Sequence, residues 1–387
     1  MQIASIQTYV IEVPIRQDVV ITSALGTHAV SRVTLVRLTT DDGVEGVGEA
    51  TVTPRWSGET ALGAQALIAG YLAPPLLGLA LIAGPETADV ETALVRMDAA
   101  AFANPFAKSA IEAAIWDVKG RAAGAPVYEL LGGPVRDLAL PIRFSLAAAS
   151  PEQTAARAVE RVAWGHRTLK VKVGGNPEAD VARMRAVRQA IGPDVLLTCD
   201  ANGGWSVRDA VRALHAMADL DLLLAEQPTP REDLDALAAV RRAVDVPIMA
   251  DEGVFTLFDA QECLRREAAD IIAVYPGKNG GILPCKRIVE LAARHGVPCA
   301  IGSNLELDPG ASPMCHVTVA CANIAAERYH GDILGPLYQT ESVARNPLRL
   351  EGGFVHTPTG AGLGVDVDWS AVDRLRYQGW PSPVADC

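Results

Sequence analysis

The sequence predicts an α/β fold, a (β/α) barrel preceded by a smaller α+β domain, and three observations predict it. After Gly132-Gly133-Pro134, short apolar runs alternate with helical patterns, which means a parallel sheet. The polar residues closing successive runs recur at a nearly constant interval: 28 residues from Lys172 to Asp200, then 26 to Glu226, 25 to Asp251 and 24 to Tyr275. Seven or eight such units in about 220 residues favour a closed barrel over an open doubly wound sheet. The first 50 residues, by contrast, alternate and turn like antiparallel strands. A chain of 387 residues accommodates one barrel of roughly 250 and one further domain.

Taken in order, Val30 to Leu38 is rich in Val, Thr and Leu, Asp41-Asp42-Gly43 supplies a hairpin turn, and Val44 to Glu49 returns. Gly43, Gly46 and Gly48 have the spacing G-x-x-G-x-G, the reverse of the dinucleotide fingerprint. No helical pattern opens after them, so they read as hairpin residues. Between Glu59 and Glu86 lie 26 uncharged residues, but Pro74-Pro75 breaks any continuous helix, and the stretch reads as two buried segments joined by a turn. From Pro85 to Ala123 the chain is Ala-rich and helical, with Ile111, Ile115 and Val118 on one face. Residues 1–125 are therefore assigned to the α+β domain.

The barrel is assigned to 126–350, with strand runs Leu140 to Leu146, Thr168 to Val173, Val195 to Asp200, Leu222 to Glu226, Val246 to Asp251, Asp270 to Tyr275 and Val297 to Ile301. Val207, Val211 and Leu214, or Leu237, Val240 and Val244, show the helical spacing between them. Residues 351–387 leave the pattern and are expected to pack back on the first domain.

A formal net charge of −12 argues against a protein that works by neutralising phosphates, so no nucleic-acid partner is expected. No membrane partner is expected either. The seven cysteines, Cys199, Cys263, Cys285, Cys299, Cys315, Cys321 and Cys387, form no C-x-x-C pair and read as reduced thiols of a cytoplasmic protein. The N-terminus carries no basic region and no long apolar run of a secretory signal.

In a (β/α) barrel the active site lies at the C-terminal ends of the strands. The residues there are Lys170 and Lys172, Asp200, Glu226, and Asp251 with Glu252. One acid after a strand can simply cap the next helix. Three adjacent strands that each deliver a carboxylate to one rim bring together negative charge that needs a cation. All-oxygen ligands suit Mg²⁺, with Mn²⁺ as the alternative, and the absence of H-x-H or H-E-x-x-H spacing argues against zinc. Lys170 and Lys172 are two apart, so both side chains point into the barrel. Like charge beside them lowers an ammonium pKa, which makes one of them a general base for proton abstraction α to a metal-held carboxylate.

Lys170-Val-Lys172, Asp200-Ala-Asn202 with Trp205, Glu226, Asp251-Glu252 and Lys278-Asn-Gly-Gly281 resemble the enolase superfamily, specifically its muconate lactonizing enzyme subgroup. Ala107-Lys-Ser-Ala110 to Trp116-Asp117, Leu130-Leu-Gly-Gly133 and Asp332-Ile-Leu-Gly-Pro336 are in the same style, so the resemblance runs along nearly the whole chain. It implies a modified barrel under a capping domain and a homo-oligomer acting on a small-molecule carboxylate. It also implies that Asp200, Glu226 and Asp251 bind Mg²⁺, that Lys172 is the base, and that Lys170 tunes it. Asn202 and Glu252, inside these motifs, are read as substrate-contacting.

One departure stands out. Members of the subgroup carry a second catalytic Lys on the sixth strand, and the matching position here is Tyr275, with Lys278 in the following turn. A racemase or epimerase needs an acid/base on each face of the α-carbon, so Tyr275 and Lys278 are the candidates for the second face. Lys172 alone suffices for cycloisomerisation or β-elimination. The expected function is thus a muconate cycloisomerase-like isomerase or a lyase. A racemase or dipeptide epimerase is the alternative, and a non-catalytic metal-binding barrel is the alternative of another class. By the same resemblance Glu306 and Asp308, after the seventh strand, sit where substrate is contacted, and Arg55 and Trp56 lie in a loop that closes over the barrel mouth.

Overall fold

The computed structural model describes residues 1–379, so Cys387 and the end of the 351–387 segment lie outside the described residues. Strands β1 (Ile3–Pro14), β2 (Ile21–Ser23), β3 (Gly26–His28), β4 (Val30–Thr40) and β5 (Glu45–Thr51) open the chain. β1 pairs antiparallel with β4, from Ile3 opposite Thr40 to Pro14 opposite Val30, and β4 pairs antiparallel with β5. β2 and β3 form a separate hairpin whose turn uses Gly26 at φ +108°.

The uncharged stretch becomes helix α1 (Ala61–Leu67), a π turn over Ile68–Leu72 and a 3-10 turn at Pro74–Leu76. The proline pair ends the helix, and no helix among the described residues is long and apolar enough to cross a membrane. Helices α2 (Ala88–Ala100) and α3 (Pro105–Ala123) follow.

Helix α3 departs from the one-faced pattern read in the sequence, because Phe106 to Gly120 are all buried. One side packs on the first sheet and the other on the barrel. Gly46 and Gly48 explain the close approach: a Cβ at Gly48 would lie 1.8 Å from the Ala110 carbonyl oxygen, and one at Gly46 2.2 Å from that of Ala114.

The barrel begins after β6 (Ala139–Pro141). Its strands are β7 (Phe144–Leu146), β8 (Thr168–Lys172), β9 (Leu196–Asp200), β10 (Leu222–Glu226), β11 (Ile248–Ala250), β12 (Ile271–Val274) and β13 (Cys299–Ile301). They form one seven-stranded parallel sheet in chain order, and it curls. Gly331 and Asp332 bridge the two edges: Arg143 N donates to Gly331 O at 2.9 Å, and Asp332 N donates to Ile301 O at 3.0 Å. The eighth position is therefore two residues of backbone rather than a strand, which is why no apolar run marks it.

The apolar run Leu140 to Leu146 is split, because β6 turns away to pair with β15 (Phe354–His356), itself paired with β14 (Leu350–Glu351). The helices between strands are α4 (Pro151–Ala163), α5 (Pro177–Ile191), α6 (Val207–Ala216), α7 (Leu234–Ala243), α8 (Leu257–Arg265), α9 (Ile282–Arg294) and α10 (Asp308–Ala320). Five of them start on side-chain caps from Ser150, Asn176, Ser206, Asp233 and Thr256. The tail returns to the front of the molecule: Leu363 N donates to Asp117 Oδ1 at 2.8 Å, and Tyr377 N to Val10 O at 2.9 Å.

Two buried carboxylates fasten the first domain to barrel helices. Glu49 at the end of β5 accepts from Leu307 N at 2.8 Å and Gly310 N at 2.9 Å, at the start of α10. Glu112 of α3 accepts from Ile282 N at 2.7 Å and Leu283 N at 2.9 Å, the first residues of α9. Backbone N–H groups at a helix start favour an anion. Burial still outweighs them, pushing Glu49 up to about 8 and Glu112 up to about 7.

Candidate active site

Asp200 ends β9 and Glu226 ends β10, while Asp251 is the first residue after β11. None of the three caps the helix that follows, since Ser206, Asp233 and Thr256 do so. The carboxylates turn inward instead, and the lysines of β8 meet two of them. Lys172 Nζ donates to Asp200 Oδ2 at 2.5 Å and to Asn202 Oδ1 at 3.0 Å. Lys170 Nζ lies 3.4 Å from the same Asp200 oxygen, 3.3 Å from Glu226 Oε2 and 2.5 Å from Asp332 Oδ2.

Arg143, just before β7, completes this network from below. Its Nε donates to Asp332 Oδ1 at 2.7 Å, and its Nη2 reaches Asp332 Oδ2 at 2.8 Å and Glu226 Oε2 at 2.9 Å. Sequence reasoning missed Arg143 as a site residue and gave Asp332 no role. Asp332 follows no apolar run, and Arg143 was hidden inside one that the fold splits.

The electrostatics separate the two lysines. Burial pulls the Lys170 ammonium down, but the Asp332 and Glu226 carboxylates prevail and raise it well above its ordinary value. The expectation of a lowered lysine pKa therefore does not hold for Lys170, because carboxylates outnumber the cations facing it. Lys170 is held as an ammonium, and Lys172, its side chain 12% exposed, is the less buried of the two.

Burial pushes Asp332 up as well, yet Arg143 and Lys170 hold it far below the usual carboxylate range. Burial also lifts Asp200, and Lys172 and Lys170 outweigh it, so that carboxyl lies low. Glu226 rises to about 7 through burial and the nearby Asp200. Glu252 rises to about 8 through burial and the charges of Asp251 and Asp200.

On the far rim, Glu252 Oε1 accepts from Asn202 Nδ2 at 2.8 Å and from the Trp56 indole N–H at 3.0 Å, which ties the loop of the first domain to the barrel. Its second oxygen, Oε2, is buried without a partner. Asp251 N and Gly253 N both donate to Gln227 Oε1, which orients the Asp251 corner. Lys278 does not reach the cavity: its side chain is fully buried, and Nζ donates to Asp251 Oδ1 at 2.8 Å, Asp251 O at 2.9 Å and Ala273 O at 2.7 Å.

Tyr275 is also fully buried, packed among Trp56, Phe106 and the bare face of Gly302, and its hydroxyl has no partner. Glu306 accepts from Ser303 Oγ at 2.6 Å and Asn304 N at 2.8 Å. Asp308 lies apart from the cavity, accepting from Ser342 Oγ and Leu348 N.

A cavity of about 530 Å³ opens over this floor. Lys170, Lys172, Asn202, Asp332 and Ser145 line its base, and Arg55, Trp56, His28 and Leu25 of the first domain line its roof. Arg55 donates to Leu25 O at 3.0 Å. Among the described residues no three carboxylate, imidazole or thiol groups stand close enough to chelate an ion as arranged here. The ammonium groups of Lys172 and Lys278 occupy the Asp200 and Asp251 oxygens. The donor set still suits a hard divalent cation: it is all oxygen, its crowded carboxylates raise one another at Glu226 and Glu252, which a cation relieves, and one carboxylate oxygen is left unpartnered.

The comparisons with known proteins agree with this architecture over nearly its full length. Residues 5–132 match the mandelate racemase / muconate lactonizing enzyme N-terminal domain, and residues 153–371 match the enolase C-terminal domain-like family. Muconate cycloisomerase 1 of Rhodococcus opacus is 33% identical over 377 residues, 96% of this chain and 98% of that one. The L-Ala-D/L-Glu epimerase of Bacillus subtilis is 36% identical over 370 residues, 94% and 97% of the two chains. Among solved structures, a dipeptide epimerase from Enterococcus faecalis complexed with Mg and the dipeptide L-Leu-L-Tyr superposes with a TM-score of 0.88. It is 32% identical, over 94% of this chain and 99% of that one. With both halves matched, and with the lysines of β8 lining the cavity and paired to the strand-end acids Asp200 and Glu226, the chain belongs to the enolase superfamily, in its muconate lactonizing enzyme-like subgroup.

Proposed function

We propose that this protein is a Mg²⁺-dependent isomerase or lyase that moves a proton α to a carboxylate on one face only, with Lys172 as the sole base. The observation that carries the reading is the contrast among four candidates. Lys170 and Lys172 line the cavity, whereas Lys278 is held by three acceptors and the Tyr275 hydroxyl is sealed. A racemase or epimerase, the activity named for several relatives, needs a group on the opposite face, and neither Tyr275 nor Lys278 presents one.

Asp200, Glu226 and Asp251 are the residues that would hold Mg²⁺, with Mn²⁺ as the alternative ion. The Enterococcus faecalis relative is complexed with Mg, which supports the assignment. Bound there, the ion supplies a Lewis acid that stabilises negative charge developing on the substrate carboxylate. Lys172 already lines the cavity, where Asn202 Oδ1 supports its Nζ, and with Asp200 engaged as a metal ligand it would face the substrate without that partner. Lys170, held as an ammonium by Asp332, faces the substrate carboxylate with a fixed positive charge. Trp56 and Arg55 close the mouth and exclude water.

The six described cysteines are free and buried, which supports a reducing, cytoplasmic setting. Incubation with Mg²⁺ and a panel of muconates, N-acyl amino acids, dipeptides and β-hydroxy acids tests the function. A lactone or dehydrated product that disappears in Lys172→Ala is the expected result. Racemised product overturns the one-sided reading.

A further inference from the structure

Arg143 carries a permanent cation to the floor of the barrel, where its side chain is 1% exposed. Its backbone is pinned beside the closure, since Arg143 N donates to Gly331 O at 2.9 Å. The head is pinned too: Nε and Nη2 fork onto the two oxygens of Asp332, at 2.7 and 2.8 Å. Asp332 is therefore the partner that balances the charge, and the planar fork leaves the guanidinium little freedom to turn.

Nη2 makes one more contact, with Glu226 Oε2 at 2.9 Å. The two Glu226 oxygens are consequently unequal. Oε2 accepts from Arg143 and lies 3.3 Å from Lys170 Nζ, whereas Oε1 has only the longer approach of Lys170, at 3.4 Å. Asp200 and Asp251 meet the ammonium groups of Lys172 and Lys278 instead, which sit on flexible stems. Among the described residues, Glu226 is the one strand-end acid gripped by a guanidinium.

Carboxylate geometry separates two common hard cations. Mg²⁺ is small and demands a near-ideal octahedron, which the narrow bite of a carboxylate does not fit, so it takes such a group through one oxygen. Ca²⁺ accepts about six to eight ligands in a flexible shell and takes a carboxylate through one oxygen or both.

We infer that Arg143 is a positioning residue that sets cation selectivity: by occupying Glu226 Oε2 it leaves that ligand one free oxygen, which suits Mg²⁺ and denies Ca²⁺ the second. The inference rests on the reading that Asp200, Glu226 and Asp251 hold the ion. The charge of Arg143 does not separate the two ions, because both are divalent. The place of Nη2 does.

Calorimetric titration of the metal-depleted full-length protein with magnesium chloride and with calcium chloride tests it. Wild type is expected to bind Mg²⁺ at least about tenfold more tightly than Ca²⁺. Arg143→Lys keeps the charge and a partner for Asp332, but its ammonium ends a bond short of Nη2, so Glu226 Oε2 is released. The Mg²⁺ preference then falls below about threefold, chiefly through tighter Ca²⁺ binding. A merely loosened site weakens both ions together and leaves their ratio where it was.

Equal or tighter Ca²⁺ binding by wild type, or an unchanged ratio in Arg143→Lys, overturns the inference. If Arg143→Lys does not fold, Arg143→Gln takes its place, with the same fall expected and the same unchanged ratio overturning it. The metal assignment fails separately: Mg²⁺ binding that survives Glu226→Gln takes the ion away from Glu226, and the inference with it. Binding that is lost in Glu226→Gln, with the ratio unmoved in Arg143→Lys, refutes only the role of Arg143.

Discussion

Asp332 and Lys170 face each other across the closure of the barrel with 2.5 Å between Oδ2 and Nζ, and Arg143 grips the same carboxylate from the other side. That arrangement gives the two lysines of β8 different work. Lys170 is held as an ammonium by Asp332 and Glu226, and the proposed base is Lys172, the less buried of the two.

Removing the central anion tests this network. Asp332→Asn leaves the buried Arg143 and Lys170 with only Glu226 between them, and breaking such a buried cluster costs about 3–5 kcal/mol. Urea denaturation of the variant is expected to show a loss of that size. A loss within about 1 kcal/mol, the range of an exposed pair, contradicts the buried clasp.

The Glu49 clasp predicts a pH dependence. Its folded value of about 8 lies above the ordinary 4.5, so the folded state binds the proton more tightly than the unfolded chain. The stabilisation is therefore complete below about 4.5 and declines as pH rises towards about 8. Glu112, raised to about 7, acts in the same direction. Urea unfolding between pH 5 and pH 8 is expected to show falling stability in wild type and a flatter profile in Glu49→Gln. Parallel profiles for the two proteins contradict the assignment.

Tyr275 is predicted to be dispensable for turnover. Its buried hydroxyl makes no hydrogen bond, and replacing it by hydrogen removes a desolvated polar group. Tyr275→Phe should equal wild type in stability or exceed it by about 1 kcal/mol. Its kcat/KM should stay within about threefold, a change of under 1 kcal/mol. A hundredfold drop in kcat makes the hydroxyl a participant and reopens two-sided chemistry.

Metal binding has a thermodynamic signature of its own. At a Mg²⁺ concentration of 100 times Kd, folding gains about 2.7 kcal/mol by mass action. Thermal unfolding of wild type should shift upward with Mg²⁺, and Glu226→Gln with Asp251→Asn should abolish the shift. An equal shift in the double variant places the ion elsewhere.

Much of the site was legible because barrel geometry ties function to strand ends. Asp200, Glu226, Lys170 and Lys172 each close an apolar run whose period fixes the side-chain direction, and the structure collects them in one network. The residues that sequence reasoning did not assign lie where no period exists. Asp332 rides on two bridging residues, and Arg143 lies inside a run that the fold splits. Gly46 and Gly48 were visible as a pattern, but their cause, the backbone of a helix far along the chain, was not. The burial of Glu49 and Glu112 was equally hidden, because their partners are backbone N–H groups at helix starts in the other domain.

The most direct test of one-sided chemistry is the stereochemistry of hydrogen exchange. Wild type, Lys172→Ala and Tyr275→Lys are each incubated in deuterated water with Mg²⁺ and an accepted carboxylate. Deuterium entering at the α-carbon with one configuration retained, and no incorporation in Lys172→Ala, is the predicted result, with inversion gained only in Tyr275→Lys. Racemised, deuterated product from wild type contradicts it, since a second acid/base then already works on the opposite face.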